Sequence, residues 1–320
     1  MNQQAYINRT YRKFDNVLRM YADKMFRVIG NAETVTAYET DEHLRVPPDK
    51  ALLSPIAPET RWGHEWGSIW LNTTFTVPEE ANGQTVTVFC DAEAVEIMCF
   101  RNGKPAGIIN SKNDFLGGMH SAMFLVPQAK AGDTYDIAFE CYAGHTCLGD
   151  APYNNYWRDE SVHDSCEHTY HGIRFAVLDT LYRDFCFDLS IVLQIARLPG
   201  ENFTAMRAHE CLMAAFPYLI GDIKSADEEE LRASCEKIRA IIAPALEKHT
   251  GGDRSRGKIG VIGHSHMDTA WLWPIEETIR KCARTYSQTL NLMEIYPEYT
   301  FIQSSALHLD WMRQYYPDIF

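Results

Sequence analysis

His264, His266 and Asp268 alternate along the chain after the apolar run Lys258-Ile259-Gly260-Val261-Ile262-Gly263, and Trp271-Leu272-Trp273-Pro274 follows them. In extended backbone the side chains at i, i+2 and i+4 point to one face, so two imidazoles and a carboxylate can converge on one point. Neutral imidazole nitrogen with carboxylate oxygen is a donor set suited to zinc. A catalytic zinc site needs at least one further protein ligand and an open position for water or substrate, so this stretch supplies only part of a site. One histidine after a strand is more often a packed or hydrogen-bonded residue than a ligand. Two histidines and an aspartate at spacing two make the metal a real competitor to that reading, and the pattern alone goes no further.

The motif runs on into Glu277-Thr278, Arg280-Lys281-Cys282-Ala283-Arg284-Thr285 and then Tyr296-Pro297, Tyr299 and Phe301. From Lys258 to Phe320 this text resembles the opening of the catalytic domain of glycoside hydrolase family 38, the retaining α-mannosidases. The wording from Asp268 to Pro274 looks most like the cytosolic and vacuolar branch of that family. The resemblance implies that His266 and Asp268 bind zinc and that Trp271 lines the sugar site. It implies further that the remaining zinc ligands, one of them an aspartate that is also the nucleophile, lie downstream of Phe320 with the catalytic acid. The 320 residues would then be the amino-terminal part of a larger enzyme, inactive alone, holding half a metal site. The implied reaction is hydrolysis of terminal α-mannosyl residues of oligosaccharides with retention of configuration. The metal would template and polarise substrate oxygens, and cobalt or another divalent ion could replace zinc.

Two rival readings stay open. In a metal hydrolase of the amidohydrolase type, His264 and His266 would be the ligands and Asp268 a bystander. A non-catalytic carbohydrate-binding protein would rest on the middle of the chain. Arg280, Lys281 and Arg284, on the helix expected after the motif, read as surface charges or salt bridges.

Composition is that of a globular protein, with 46% hydrophobic and 23% charged residues. The net charge of −13 argues against a nucleic-acid surface or an anionic membrane as partner, since both attract basic patches. A neutral, mannose-containing oligosaccharide is compatible with it. The nine cysteines are odd in number, scattered and without a CxxC pair, which is how reduced thiols look. With no signal-peptide core at Met1-Asn2-Gln3-Gln4-Ala5-Tyr6 and no apolar run long enough to span a bilayer, a cytoplasmic location is expected. Homo-oligomerisation is left open.

The expected fold is mixed: an antiparallel, jelly-roll-like β-sandwich with a helical spacer, followed by the start of a β/α barrel catalytic domain. Residues 1–60 read as an amino-terminal helix, with Tyr11, Phe14, Leu18, Tyr21 and Met25 at helical spacing, then an extended connector carrying Pro47, Pro48, Pro55 and Pro58. Residues 61–178 read as the sandwich. Ile69, Leu71, Phe75 and Val77 alternate with polar residues, as do Val86, Val88 and Cys90, and Asn102-Gly103 signals a tight hairpin. Trp62, Trp66 and Trp70 could stack on sugars, but core packing is the commoner use of such residues. His163, Cys166, His168 and His171 could be drawn as a second zinc site, against the reading of an ordinary loop. Residues 179–250 read as the helical spacer, with a capping box at Ser225 and Glu228, and residues 251–257 as a linker. Residues 258–320 give strand, motif, helix and a second strand near Tyr299 to Ser304. That is about one and a half barrel units, too few to close a core, so these residues are expected to be poorly ordered or packed differently.

Overall fold

The computed structural model describes residues 3–109, 122–145, 166–199, 203–246, 260–271 and 273–320, which divide into two units. Among them no helix is long and apolar enough to cross a membrane.

The helical unit combines the described parts of residues 1–27 and 178–259. Helix α1 (Gln3–Ala22) buries Tyr11, Phe14, Val17 and Tyr21 along one stripe. It packs on α2 (Thr180–Ala196), which also meets α3 (Phe203–Ala215) and α4 (Glu228–Leu246). Tyr21 lies 5.0 Å from Phe185, ring to ring, and Phe14 meets Phe216 edge-on at 5.9 Å. The amino-terminal helix thus joins the helices of the expected spacer, because its apolar stripe finds matching stripes there. Asp179 caps α2, accepting the amides of Leu181 and Tyr182 at 3.0 and 3.2 Å. At α4 the cap differs from the expected box at Ser225. Asp227 accepts the Glu230 amide at 2.8 Å, while the Ser225 hydroxyl donates to Asp222. A carboxylate at the positive end of a helix is the stronger acceptor, and the helix starts there.

The second unit holds the described parts of residues 28–177 and 260–320. Its strands are β1 (Phe26–Asn31), β2 (Thr36–Thr40), β3 (Ser54–Pro55), β4 (Thr60–Trp62), β5 (Ser68–Thr76), β6 (Val86–Asp91), β7 (Glu96–Arg101), β8 (Lys104–Ile109), β9 (Ala122–Val126), β10 (Thr134–Tyr142), β11 (His168–Tyr170) and β12 (Gly172–Leu178). One sheet has the order β1-β12-β6-β9 and the other β3-β2-β5-β10-β7-β8, with β4 and β11 forming a separate pair. Between the two sheets lies a core of Ile69, Leu71, Phe75, Val86, Val88, Ile137, Phe139 and Phe175, among others. Phe75 and Phe175 stack across it at 4.0 Å. This is a jelly-roll-type sandwich of antiparallel pairs. Asn102 and Gly103 connect β7 to β8 with φ of 52° and 78°, the left-handed pair a two-residue hairpin requires.

The sandwich begins earlier than the expected boundary at residue 61. β1 and β2 lie in the passage read as connector, and β2 pairs with β5 from Thr36↔Asn72 to Thr40↔Ser68. These strands are short, and the prolines behind them obscure their period.

The six-stranded sheet is covered on both faces. Along β5, β7 and β10 the residues between those of the sandwich core, namely Trp70, Met98, Phe100 and Ala138, point the other way. There they meet Ile279, Cys282, Ala283 and Tyr286 of α5 (Ile275–Ile295) and Met312 of α6 (Ala306–Tyr315). Trp70 is 1% exposed. Trp62 lies in the sandwich core and donates its indole N–H to the Ala92 carbonyl at 3.1 Å, and Trp66 stacks on His145 at 4.0 Å. All three tryptophans are therefore engaged in packing. Of the last sixty residues, expected to be poorly ordered or packed differently without a closed barrel, α5 and α6 pack on this outer face.

In the middle of that apolar contact sit charges. Glu140 on β10 and Arg280 on α5 are 2% and 1% exposed, with Oε1 and Nη2 2.7 Å apart. The Arg280 guanidinium also donates to Ser68 at 2.8 Å and reaches Nδ1 of His43 at 3.0 Å and Glu277 at 3.3 Å. Arg284 pairs with Glu277 and, at 2.6 Å, with Glu96 of β7, which Lys281 also meets at 3.3 Å. Burial works against the charge on Arg284, but Glu277, Glu96 and Glu140 outweigh it and hold the guanidinium protonated. Of the two readings given for Arg280, Lys281 and Arg284, surface charges or salt bridges, the second is the one seen, as the buried polar centre of this contact. Gln288 and Asn291, farther along α5, satisfy the Ile108 amide and the Phe124 carbonyl at 3.1 and 2.7 Å.

Removing one member of such a network leaves its partner charged and desolvated. Arg280→Met is expected to cost about 3–5 kcal/mol of stability by that mechanism. The shift of the denaturant midpoint of the sandwich checks this, and a loss below about 1 kcal/mol, the range of exposed pairs, would refute it.

Candidate functional site

The motif leaves the outer face through a minimal parallel pair, β13 (Gly263–His264) beside β14 (Phe301–Ile302). Gly263 pairs with Phe301 in this register. A Cβ there would lie 2.7 Å from the Tyr299 hydroxyl and 3.1 Å from the Thr300 carbonyl, while its own amide donates to that carbonyl at 2.9 Å. A side chain at 263 would have to displace the Tyr299 hydroxyl and would crowd the Thr300 carbonyl. Strand, loop, helix and a parallel second strand are the opening of a β/α repeat, with the loop at the carboxyl end of the first strand.

Beyond the strand the chain is irregular, so the alternation that would bring His264, His266 and Asp268 together is broken. Nε2 of His264 faces the Ser304 hydroxyl on the β14 side, at 3.4 Å. His266 and Asp268 do come together, with Nε2 and Oδ1 3.3 Å apart. Zinc with bonds of about 2.1 Å at tetrahedral angles sets neighbouring donor atoms about 3.4 Å apart. The pair therefore fits two positions of one metal ion by spacing and by donor chemistry. Their side chains are 84% and 51% exposed, open to further ligands from outside. Among the described residues no group of three or more His, Cys, Asp or Glu is placed to hold a metal.

The loop between this pair and Trp271 is held from beneath by two helices. The Thr269 hydroxyl lies 2.9 Å from Nε2 of His308 on α6. His308 is 3% exposed, and burial lowers its pKa and favours the neutral ring. Ala270 has φ 53°, a left-handed conformation costing on the order of 1 kcal/mol for a residue with a Cβ. Its amide donates to the Thr278 hydroxyl on α5 at 3.0 Å, and the Trp273 indole N–H donates to the same oxygen at 3.0 Å. Trp271 is 47% exposed and meets Trp273 edge-to-face at 5.4 Å. Lys281 lies over the Trp273 ring at 4.9 Å. From below, Met267 packs into the cluster beneath α5. Sequence reasoning gave roles to His266, Asp268 and Trp271, named Thr278 in the motif without a role, and passed over His308. A lone threonine or histidine on a helix carries no periodic signal, and only the fold brings them under the loop.

Of the second cluster, His163 lies outside the described residues. Nε2 of His168 is 2.7 Å from the Ala143 carbonyl. His171 stands between two carboxylates, 2.8 Å from Glu59 and 3.3 Å from Glu93. Hydrogen bonds to Glu59 and then Glu93 push its pKa up to about 9. Because the folded value is raised, this contribution to stability is complete below the ordinary histidine pKa of about 6.5 and is lost as pH rises through about 9. A proton NMR titration of the His171 ring is expected to show that raised midpoint. With Glu59→Gln and Glu93→Gln together the midpoint returns toward about 6.5; an unshifted midpoint in the unaltered protein would rule the bridge out.

Comparison with known proteins bears on both halves of this unit. Residues 256–320 match the glycosyl hydrolases family 38 N-terminal domain, and residues 32–161 match the jelly roll domain of alpha-mannosidase. Alpha-mannosidase 2C1 of Mus musculus is 26% identical over 299 residues, 92% of this chain and 27% of that protein. Alpha-mannosidase G of Dictyostelium discoideum is 22% identical over 261 residues, covering 81% and 22% respectively. An alpha-mannosidase of Saccharomyces cerevisiae is 46% identical over 59 residues, 18% of this chain and 5% of the relative. The chain spans about a quarter of the length of the first two relatives.

Proposed function

We propose that this chain, which belongs to glycoside hydrolase family 38, is the amino-terminal part of an α-mannosidase and supplies half of its zinc site and one wall of its sugar pocket. The observation that carries the reading is the 3.3 Å approach of His266 Nε2 to Asp268 Oδ1, at the carboxyl end of a strand in the segment matched to the family 38 domain. A bound zinc ion would orient and polarise hydroxyls of a terminal mannose. His266 and Asp268 would hold it from one side, with their remaining donors already open to solvent. The half-exposed Trp271 ring, braced by Trp273, would offer an apolar face to the pyranose and exclude water from one side of it. The other ligands, the nucleophile and the acid would come from outside these 320 residues, and the anomeric configuration would be retained.

The substrate in this reading is a mannose-terminated oligosaccharide, uncharged like the glycosidic bond it presents, and the compartment is the cytoplasm. The eight described cysteines are unbridged, six of them buried in the folded cores, in keeping with a reducing environment. His264 argues for this assignment over the amidohydrolase type, since its ring turns to Ser304 rather than to His266.

Hydrolysis of a chromogenic α-mannoside, with and without added zinc, by this chain and by the same chain extended past Phe320, is the test. Activity is expected in the extended form alone. His266→Ala or Asp268→Ala is expected to lower it by more than about 100-fold, since even outer-shell partners of a metal contribute up to that much. An active extended enzyme that tolerates both substitutions would remove the metal from the reading.

A further inference from the structure

Thr278 is buried on the first turn of α5, beneath the motif loop. A hydroxyl can accept two hydrogen bonds and donate one, and Thr278 uses all three. Its oxygen accepts the Ala270 amide and the Trp273 indole N–H, each at 3.0 Å, and its own proton points back to the Pro274 carbonyl at 3.5 Å. The two donors flank Trp271. Ala270 is the residue before it, held at φ 53°, and Trp273 is the ring against which Trp271 stands edge-to-face at 5.4 Å. One further bond closes the turn, from the Trp271 amide to the Trp273 carbonyl at 3.1 Å. A single oxygen therefore fixes both the backbone entering Trp271 and the surface its ring leans on, two residues after Asp268.

We propose that Thr278 is a positioning residue for the sugar site, setting the Trp271 ring relative to the His266 and Asp268 pair. The proposal rests on the mannosidase reading for what Trp271 touches, but the clamp itself is a property of this chain. Thr278 touches neither substrate nor metal and acts through Ala270 and Trp273. Valine at 278 keeps the shape and removes the acceptor, so the Ala270 amide and the Trp273 indole N–H lose the oxygen that both donate to. Serine keeps the oxygen.

Hydrogen exchange at the Ala270 amide and the Trp273 indole, measured on the chain in its unaltered, T278V and T278S forms, reads the clamp directly. T278V is expected to speed both by about tenfold or more while later amides of α5 keep their protection, and T278S to stay close to the unaltered chain. In the form extended past Phe320, T278V is expected to raise KM for an α-mannoside about tenfold with kcat little changed and zinc content intact, the pattern of lost uniform binding, with T278S restoring it. Unchanged exchange in T278V, or T278S as impaired as T278V, would overturn the proposal. If the extended unaltered form hydrolyses no α-mannoside, the mannosidase reading fails on its own and exchange alone decides the clamp. Should T278V not fold, W273F removes one of the two donors: faster exchange at Ala270 or a raised KM supports the clamp, and neither overturns it.

Discussion

The pairing of Glu140 with Arg280 governs how the second unit is built. Glu140 stands at the centre of the outer face of the six-stranded sheet, opposite Trp70 on β5 and Met98 on β7. A carboxylate there, alone among apolar side chains, would be too costly to keep ionised. Its guanidinium partner sits on the helix that follows the motif, so the sheet accepts α5 in the one register that brings Arg280 over Glu140. Glu277, Arg284 and Glu96 extend the pairing along one side of the helix. Such a network adds little stability over an apolar contact of equal size, but it penalises every other register severely. Its role here is to orient the helix.

From that orientation the site follows. The first turn of α5 carries Glu277 and Thr278 side by side, one facing the charge network and the other the motif loop. Fixing the first residue fixes the second, and Thr278 in turn holds Ala270 and Trp273. The path from sandwich to site therefore runs through one helical turn. A sandwich that reads by itself as an accessory module is, on this geometry, the platform on which the motif helix lies. The β13 and β14 pair, only two residues long in each strand, could not place the loop without it.

The legibility of these features differs by residue. The inward faces of β5 and β6 were readable because Ile69, Leu71, Phe75, Val86 and Val88 obey the two-residue period of a sheet with one buried face. The outward residues of β5 and β7 were not, because Trp70, Met98 and Phe100 need a helix distant in the chain to cover them. Arg280 and Arg284 show the same limit for charge: on a helix their type indicates solvent, and only Glu140 and Glu96, far away in sequence, make burial possible. At α4 the expected cap at Ser225 gave way to Asp227, whose carboxylate accepts the Glu230 amide while Ser225 turns to Asp222.

What the sequence determined by itself was the chemistry on offer. A histidine and an aspartate two residues apart after a short apolar run, with Trp271 close behind, name a donor pair and an aromatic wall, because side-chain type and local spacing are properties of the chain alone. Tertiary structure decided which of these groups meet. It turned His264 toward Ser304, left His266 and Asp268 within ligand distance, and set Thr278 and His308 beneath the loop between them and Trp271. The reason is that hydrogen bonds and buried ion pairs depend on distances through space, and contacts between residues dozens or hundreds of positions apart leave no local pattern in the chain.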